Sequence, residues 1–376
     1  MIPDQTWRNS FAQKRGQSVT TAVFLGASAA RLLSLALLSS CVFMGMQGVA
    51  RADGSDRITI LEENDSIYFN SDKHYTQGLR ASDFAPAIGP KSGWNFPFKL
   101  ANEIASPLFE DQGTGPDSQP LDYTRHYAVF FGQSIFTPQN LVLKPPDPHD
   151  RPYGGWLYVG TSLLQETNRD MLENLELDLG VVGPGALGKQ VQNNFHQLIG
   201  VAQARGWSSQ IQNEPGAMLT YERLWRVPLL GHGDYGADIV PQLGATVGNV
   251  FTYGEAGAML RVGKNLQADY GPVRVRPALS GTDYFDGSHL DGNFGYYFYI
   301  AAQGRAVGRN IFLDGNSFRT SPSVQKKVLV ADTLAGFSLF WSNSWRLDFS
   351  AGRRTREFVG QESSDVMGTA AISFSL

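Results

Sequence analysis

Apolar and polar residues alternate one by one along many short segments of the chain. Near position 175, Leu175, Leu177, Leu179 and Val181 alternate with the acidic residues Glu176 and Asp178. The same alternation recurs at 296–303, 345–351 and 369–376. A period of two residues predicts β-strands that have one apolar and one polar face.

Twelve segments of roughly ten residues carry this pattern, and an even number is needed if both chain ends lie in the periplasm. They are 57–63, 76–86, 124–135, 153–166, 172–182, 216–227, 235–247, 252–264, 293–306, 327–341, 344–357 and 367–376. A further candidate at 272–281 contains Pro272 and Pro277, which argue for a loop. The sequence therefore predicts an all-β fold, a 12-stranded antiparallel transmembrane β-barrel, and leaves the long connections 87–123 and 265–292 without a role.

The first 52 residues have the layout of a secretory signal peptide. A polar stretch with basic residues precedes an apolar run at 32–49, and Ala50-Arg51-Ala52 forms a small-x-small cleavage site. The alternative is a retained membrane anchor, because the apolar run approaches spanning length. We expect cleavage before Asp53, which leaves 53–376 as one outer-membrane barrel domain.

The single cysteine, Cys41, lies in this leader, so the mature chain would have no thiol. An exported chain without cysteine, with strands of spanning length, favours an outer-membrane barrel over a soluble β-sandwich. The leader carries five basic residues and one acidic residue, so its removal takes the formal charge from −4 to −8. An acidic chain argues against general nucleic-acid binding.

One segment, 186–211, is typical of a helix in a chain otherwise made of strands. Gln192 and His196 are four residues apart and would share one helix face. A histidine can take a proton near neutral pH, and a neighbouring amide can orient a water or a carbonyl. The alternative is a polar face that only holds a loop down. Strand parity places this helix in the third extracellular connection, 183–215.

Two other polar clusters fall at the same end of the predicted barrel. The oxygens of Asn64 and Asp65, after the first strand, suit a hard cation such as calcium, or they belong to an ordinary polar turn. Arg151, before the fourth strand, could bind a phosphate in bidentate fashion or pair with an acid at the rim. A cation and a histidine base at one rim could together hydrolyse an ester.

These segments resemble the lipid A 3-O-deacylases of the Gram-negative outer membrane. The motifs that carry the resemblance are Glu63-Asn64-Asp65, Tyr75-Thr76-Gln77-Gly78, Asp150-Arg151-Pro152-Tyr153-Gly154-Gly155-Trp156 and Gln192-Asn193-Asn194-Phe195-His196. The resemblance implies an active site between the outer rim and a helix of an extracellular loop. It also implies calcium-dependent hydrolysis of the acyl or acyloxyacyl ester at the 3′ position of lipid A.

Carried over by motif, the resemblance makes His196 the general base and Gln192 its neighbour on the helix. Asn64 and Asp65 would form the cation and oxyanion side, and Thr76 would line the site. Arg151 as a phosphate contact is our inference from its charge and rim position. The implied partners are lipid A and the outer-membrane lipids, and we expect a monomer.

Two other functions stay open at this point. The chain could be a passive barrel, a small porin or adhesion scaffold, although a barrel filled by side chains should conduct poorly. It could also be a phospholipase-type esterase that acts on glycerophospholipids, since the required ester chemistry is the same.

Overall fold

The computed structural model describes residues 56–65, 72–232, 234–277, 281–287, 290, 292–342 and 344–376. The predicted signal peptide, 1–52, lies outside the described residues. The chain divides into two compact units: Arg51–Asn194 with Ala202–Leu376 contains the strands, and the other unit includes Phe195–Val201. In the described part of the chain, no helix is long and apolar enough to cross a membrane.

The described residues form thirteen strands of one antiparallel sheet and three α-helices. The strands are β1 (Arg57–Asn64), β2 (His74–Phe84), β3 (Tyr123–Thr137), β4 (Gly154–Thr167), β5 (Met171–Val182), β6 (Glu214–Trp225), β7 (Val227–His232), β8 (Tyr235–Gly248), β9 (Phe251–Lys264), β10 (Phe294–Asn310), β11 (Leu329–Trp341), β12 (Trp345–Arg354) and β13 (Asp365–Ser375). The helices are α1 (Phe96–Ile104), α2 (Gly188–Ile199) and α3 (Ile311–Asp314).

The sheet closes on itself into a barrel. β1 pairs with both β2 and β13, and β6 pairs with both β5 and β8. β7, which the sequence analysis missed, also pairs with β8, so β6 and β7 act as one strand interrupted at Arg226. The Arg226 side chain turns away to Asp170, with 2.7 Å between Nη2 and Oδ1. The predicted 12-stranded antiparallel barrel is therefore confirmed.

The two faces of the strands follow the predicted alternation. On β5, Glu176 and Asp178 are buried, whereas Leu177 and Leu179 are 39% and 49% exposed. β1 begins and β13 ends at the same end of the barrel, which we assign to the periplasm because this is usual for outer-membrane barrels. The ends of β1, β3 and β5 and the starts of β2, β4 and β6 then lie at the extracellular end.

The connection between β9 and β10 folds into the lumen, which gives the predicted loop at 265–292 a structural role. Arg276 donates from Nε to Glu176 Oε1 of β5 at 2.8 Å and from Nη1 to Glu222 Oε1 of β6 at 2.6 Å. Asp283 Oδ2 accepts a hydrogen bond from Arg80 Nη2 of β2 at 2.9 Å. We call the described residues 269–277 and 281–287 the lumen segment. Because its charges pair with charges on the inner wall, it fills the barrel interior.

Candidate active site

The end of β1 presents acidic and amide side chains on the outer face of the barrel. Glu63 contacts Arg274 of the lumen segment, so its neighbours Glu62 and Asn64 point outward by the pleat of the strand. In the register with β2, Glu62 lies opposite Leu79 and Asn64 lies opposite Gln77. The period-two pattern could have indicated Glu62 as a candidate site residue, because Glu62 is an acidic residue at an outward position of the first strand.

The carboxylate of Glu62 is buried without a hydrogen bond of good geometry. Glu62 is 7% exposed, and among the described residues neither carboxylate oxygen has a hydrogen-bond partner of good geometry, although the amides of Gln77 and Asn64 lie beside it. A buried carboxylate is costly unless a donor or a cation compensates its charge. Glu62 is not among the site residues predicted from the sequence, yet its carboxylate makes this corner rich in oxygen atoms.

Asp65 and Asp72 hold the two ends of the β1–β2 connection. Asp65 is 2% exposed, and its Oδ2 accepts the Lys73 backbone N–H at 2.5 Å. Thr76 sits at a bulge of β2, where the register with β3 shifts between Tyr75 and Gln77. Its Oγ1 lies 2.7 Å from Oγ1 of Thr137. A bulge re-aims the side chain that it displaces, and here it turns the Thr76 hydroxyl to Thr137.

Helix α2 begins after Leu187, which has a left-handed φ of 60°, and packs closely against Trp207. A Cβ on Gly188 would lie 2.8 Å from the Trp207 ring, so the close approach requires glycine there. Trp207 Nε1 donates to Gln192 Oε1 at 2.9 Å, and Gln192 Nε2 donates to Asp72 Oδ1 at 3.2 Å. Gln192 therefore ties its helix to the β1–β2 connection.

His196 lies one helical turn after Gln192 and is 5% exposed. Its backbone oxygen accepts the Val201 N–H at 3.0 Å within the unit Phe195–Val201. The spacing of four residues puts the imidazole on the same face of α2 as the Gln192 amide. Of the predicted site residues, Asn64, Asp65 and Thr76 thus lie around the connection that Gln192 contacts.

A buried histidine and two aspartates, not predicted as site residues, join three strand ends at the extracellular side. His74 Nδ1 lies 2.7 Å from Asp365 Oδ1, and its Nε2 lies 3.4 Å from Asp150 Oδ1. Burial alone would raise the pKa of Asp150, but hydrogen bonds from His74 and from backbone N–H groups hold that pKa below its usual value. The sequence gives little sign of this cluster, because its members are far apart in the chain.

Arg151 is fully buried next to this cluster. Its Nη2 donates to Glu357 Oε2 at 2.7 Å, and its guanidinium lies 5.3 Å from the centre of the Phe136 ring. Burial would raise the pKa of Glu357, but Arg151 and Arg354 hold it below its usual value. Nε and Nη1 of Arg151 have no partner among the described residues. A phosphate contact by Arg151 stays a prediction.

The oxygen atoms at the end of β1 offer a hard-cation donor set of modest size. In the part of the chain that the structure describes, no three His, Cys, Asp or Glu side chains form a metal-binding group. The carboxylates of Glu62 and Asp65 and the amide oxygen of Asn64 are nevertheless the ligand types that calcium prefers. The chemistry of these donors therefore fits calcium, with water or substrate oxygens completing the shell.

Comparisons with known proteins agree with the barrel. The family model described as "Outer membrane protein LpxR" matches residues 33–376. The structure of LpxR from Salmonella typhimurium is similar over 85% of this chain and 100% of that chain, with 19% identity and a TM-score of 0.64. The β domain of the Bordetella autotransporter BrkA covers 86% of this chain and 100% of its own, with 10% identity and a TM-score of 0.40. No curated protein sequence matches the chain.

Proposed function

Since the chain belongs to the LpxR family of outer membrane proteins, we propose that it is a lipid A 3′-O-deacylase. It would hydrolyse the acyl or acyloxyacyl ester at the 3′ position while lipid A stays in the outer leaflet. The observation that carries this proposal is the hydrogen bond between Gln192 and Asp72. This bond joins Gln192, four residues before His196 in the sequence, to the β1–β2 connection, whose neighbouring strand ends carry Asn64, Asp65 and Thr76.

His196 is the general base of the proposed reaction. Its imidazole would take a proton from water as the water oxygen attacks the ester carbonyl, and would return that proton to the leaving alkoxide. Gln192 is a positioning residue, because both ends of its amide are already bonded, to Trp207 and to Asp72. Its loss would let α2 move relative to the β1–β2 connection.

Asn64 and Asp65, with Glu62 beside them, would hold the cation. Bound calcium would supply positive charge close to the carbonyl oxygen, where negative charge develops in the transition state. The protein's own part is to keep these oxygens in place: the Lys73 amide fixes Asp65, and the pairing with Gln77 fixes Asn64. The Thr76 hydroxyl, bonded to Thr137, lines the same corner and can donate or accept.

Arg151 is proposed as the contact for a lipid A phosphate through Nε and Nη1, the two donors that have no partner among the described residues. Nε and Nη1 lie on different edges of the guanidinium, so each would donate a single hydrogen bond to the phosphate. Glu357 would hold the guanidinium in place through Nη2.

The filled lumen supports an enzyme over a passive channel. The lumen segment places Arg276 between Glu176 and Glu222, in the space that a porin keeps open for water. One chain closes the barrel by pairing β1 with β13, so the proposed monomer would need no strand from a second copy.

Mass spectrometry of lipid A from cells that express the protein tests the proposal. We expect loss of the 3′-linked acyl group with the wild type and no loss with His196→Ala. The matched control is His149→Ala, which removes an exposed imidazole from the same end of the barrel and should stay active. An unchanged lipid A spectrum with wild-type protein would refute the function, and full activity of His196→Ala would refute the assigned base. Release of fatty acid from glycerophospholipid in mixed micelles would point instead to a phospholipase.

A further inference from the structure

The connection 85–122, between β2 and β3, lies against the outer face of the barrel at its periplasmic end. It contains the turn Gly93–Asn95, capped by Ser92, whose Oγ accepts the Trp94 N–H at 3.2 Å, and it continues into α1. Phe98 on the underside of α1 is fully buried against Phe109, with 5.1 Å between the ring centres. The Phe98 ring also contacts the Tyr127 ring of β3, with 5.6 Å between the ring centres, so the connection is docked on the barrel.

The docking surface is a polar patch on the outer face of β3 to β6. Arg125 lies opposite Gln165, Gln165 opposite Glu173, and Glu173 opposite Arg223, so all four share one face. This is the outer face, because the adjacent Glu222 points into the lumen and contacts Arg276. Each of the four lies two residues from the periplasmic end of its strand. Charged side chains at this level of a barrel wall face lipid unless something covers them.

The connection covers this patch and bonds to it through its backbone. The Phe109 N–H donates to Glu173 Oε2 at 3.1 Å, and the Phe109 oxygen accepts from Arg125 Nη2 at 3.3 Å. The Pro107 oxygen accepts from Arg223 Nη2 at 3.0 Å. The polar patch thus fixes where and how deeply the connection sits on the wall.

The opposite side of α1 is an apolar stripe. Phe96, Leu100 and Ile104 are spaced by four residues, so they form one line along the helix, and they are 65%, 40% and 76% exposed. Lys99 and Glu103 occupy the neighbouring edge of the helix and are also exposed. A soluble surface helix would bury such a stripe rather than present it to water.

The position of Trp94 shows where this stripe lies along the height of the barrel wall. The Trp94 ring meets the Tyr127 ring edge-on, with 6.0 Å between centres, and Tyr127 Oη donates to the Trp94 oxygen at 2.7 Å. Tyr127 is on the outer face of β3, two residues closer to the extracellular end than Arg125, and Val129 and Phe131 continue that face. Tryptophan and tyrosine gather where a barrel wall meets the lipid headgroups. The start of α1 therefore lies at the edge of the membrane-facing belt.

We propose that Trp94, Phe96, Leu100 and Ile104 insert into the phospholipid of the periplasmic leaflet, so that α1 is an interfacial anchor. The occupant is lipid because Trp94, at the start of the stripe, contacts Tyr127 on the outer face of β3, and that face contacts the bilayer in an outer-membrane barrel. Lys99 and Glu103 would face the headgroups, as the polar edge of an interfacial helix does.

Site-directed spin labelling tests this arrangement. The background is Cys41→Ser, which removes the only cysteine of the sequence, and single cysteines replace Ile104 or Glu103. The protein is reconstituted in vesicles of phosphatidylethanolamine and phosphatidylglycerol, and the accessibility of each label to oxygen and to a water-soluble nickel complex is measured. We expect a several-fold higher oxygen-to-nickel ratio at 104 than at 103, since Ile104 lies in the apolar stripe and Glu103 lies on the neighbouring polar edge.

Equal, water-like ratios at 104 and 103 would overturn the proposal. A label at 104 that becomes protected only when periplasmic extract is added would also overturn it, because the occupant would then be a protein. If Ile104→Cys fails to show the heat-dependent electrophoretic shift of a folded barrel, Leu100→Cys takes its place with Lys99→Cys as its partner. Brominated phospholipids give a second readout: they should quench the fluorescence of the wild type more than that of Trp94→Phe.

Discussion

Replacing Arg276 by methionine removes the central cation of the lumen segment and keeps a side chain of similar length. Arg276 is 7% exposed, and it bonds to Glu176 at 2.8 Å and to both carboxylate oxygens of Glu222. The substitution leaves two carboxylates in the barrel interior without their shared partner. We expect the folded barrel to lose stability at neutral pH.

The size of the loss in unfolding free energy depends on which partners Glu176 and Glu222 retain in the variant. Removing one member of a buried ion pair costs about 3–5 kcal/mol. Glu176 retains Arg80 at 3.3 Å, and Glu222 retains the Asn174 amide at 3.1 Å. We therefore expect the lower value, ~3 kcal/mol, which corresponds to about a hundredfold change in the unfolding equilibrium constant.

Urea unfolding in phospholipid vesicles, followed by tryptophan fluorescence and by heat-dependent electrophoretic mobility, measures this free energy. Arg356→Met, which changes an exposed arginine at the extracellular end, is the matched control and should stay within roughly 0.5 kcal/mol of wild type. The double variant Arg276→Met, Glu222→Gln should regain part of the loss, because it removes an unpaired charge together with the cation. If Arg276→Met unfolds at the wild-type urea concentration, the ion pairs of the lumen segment do not stabilise the barrel.

Three further outcomes follow from the candidate site. Glu62→Gln should raise the calcium concentration for half-maximal deacylation about tenfold or more, whereas an unchanged calcium titration would exclude Glu62 from the cation site. Gln192→Ala should lower kcat with little change in the unfolding free energy; a variant that loses stability but keeps kcat would contradict its positioning role. The pKa of Glu357 is lowered in the folded protein, so the stability that Glu357 contributes is present above its unfolded pKa and is lost as the pH falls through its folded pKa. Glu357→Gln should therefore be less stable than wild type at pH 7, and the difference should shrink in acid; a difference independent of pH would contradict the pairing with Arg151.

The barrel itself could be predicted because alternate residues of each strand face two different environments, lipid outside and a polar lumen inside. On β5, one face carries Leu177 and Leu179, which indicates contact with lipid. The other face carries Glu176 and Asp178, which indicates a polar lumen. β7 was missed because it continues the strand β6 past Arg226, and its Pro228 breaks the pattern.

The two long connections could not be predicted, because their structure comes from distant partners rather than from local periodicity. In the sequence, Arg274 and Arg276 look like residues of an ordinary polar loop. Only the structure shows that they form ion pairs with acidic residues of the inner wall: Glu63, Glu176 and Glu222. The residues proposed for the candidate site were chosen by residue type and motif, and their roles stay predictions. The contact of Gln192 with Asp72 spans 120 positions in sequence, so no local pattern could reveal it.

The lumen segment also constrains the order in which the barrel can form. Arg276 contacts Glu222, which is 54 positions earlier in the sequence, and Glu176, which is 100 positions earlier. Arg274 contacts Glu63, which is 211 positions earlier and lies on β1, the strand that closes the barrel by pairing with β13. Contacts of such long range form slowly, because the chain between them must be brought together first. The contact of Arg274 with Glu63 joins the lumen segment to the closing strand. We therefore expect that the lumen segment packs inside the barrel and β1 pairs with β13 in one cooperative step, late in assembly.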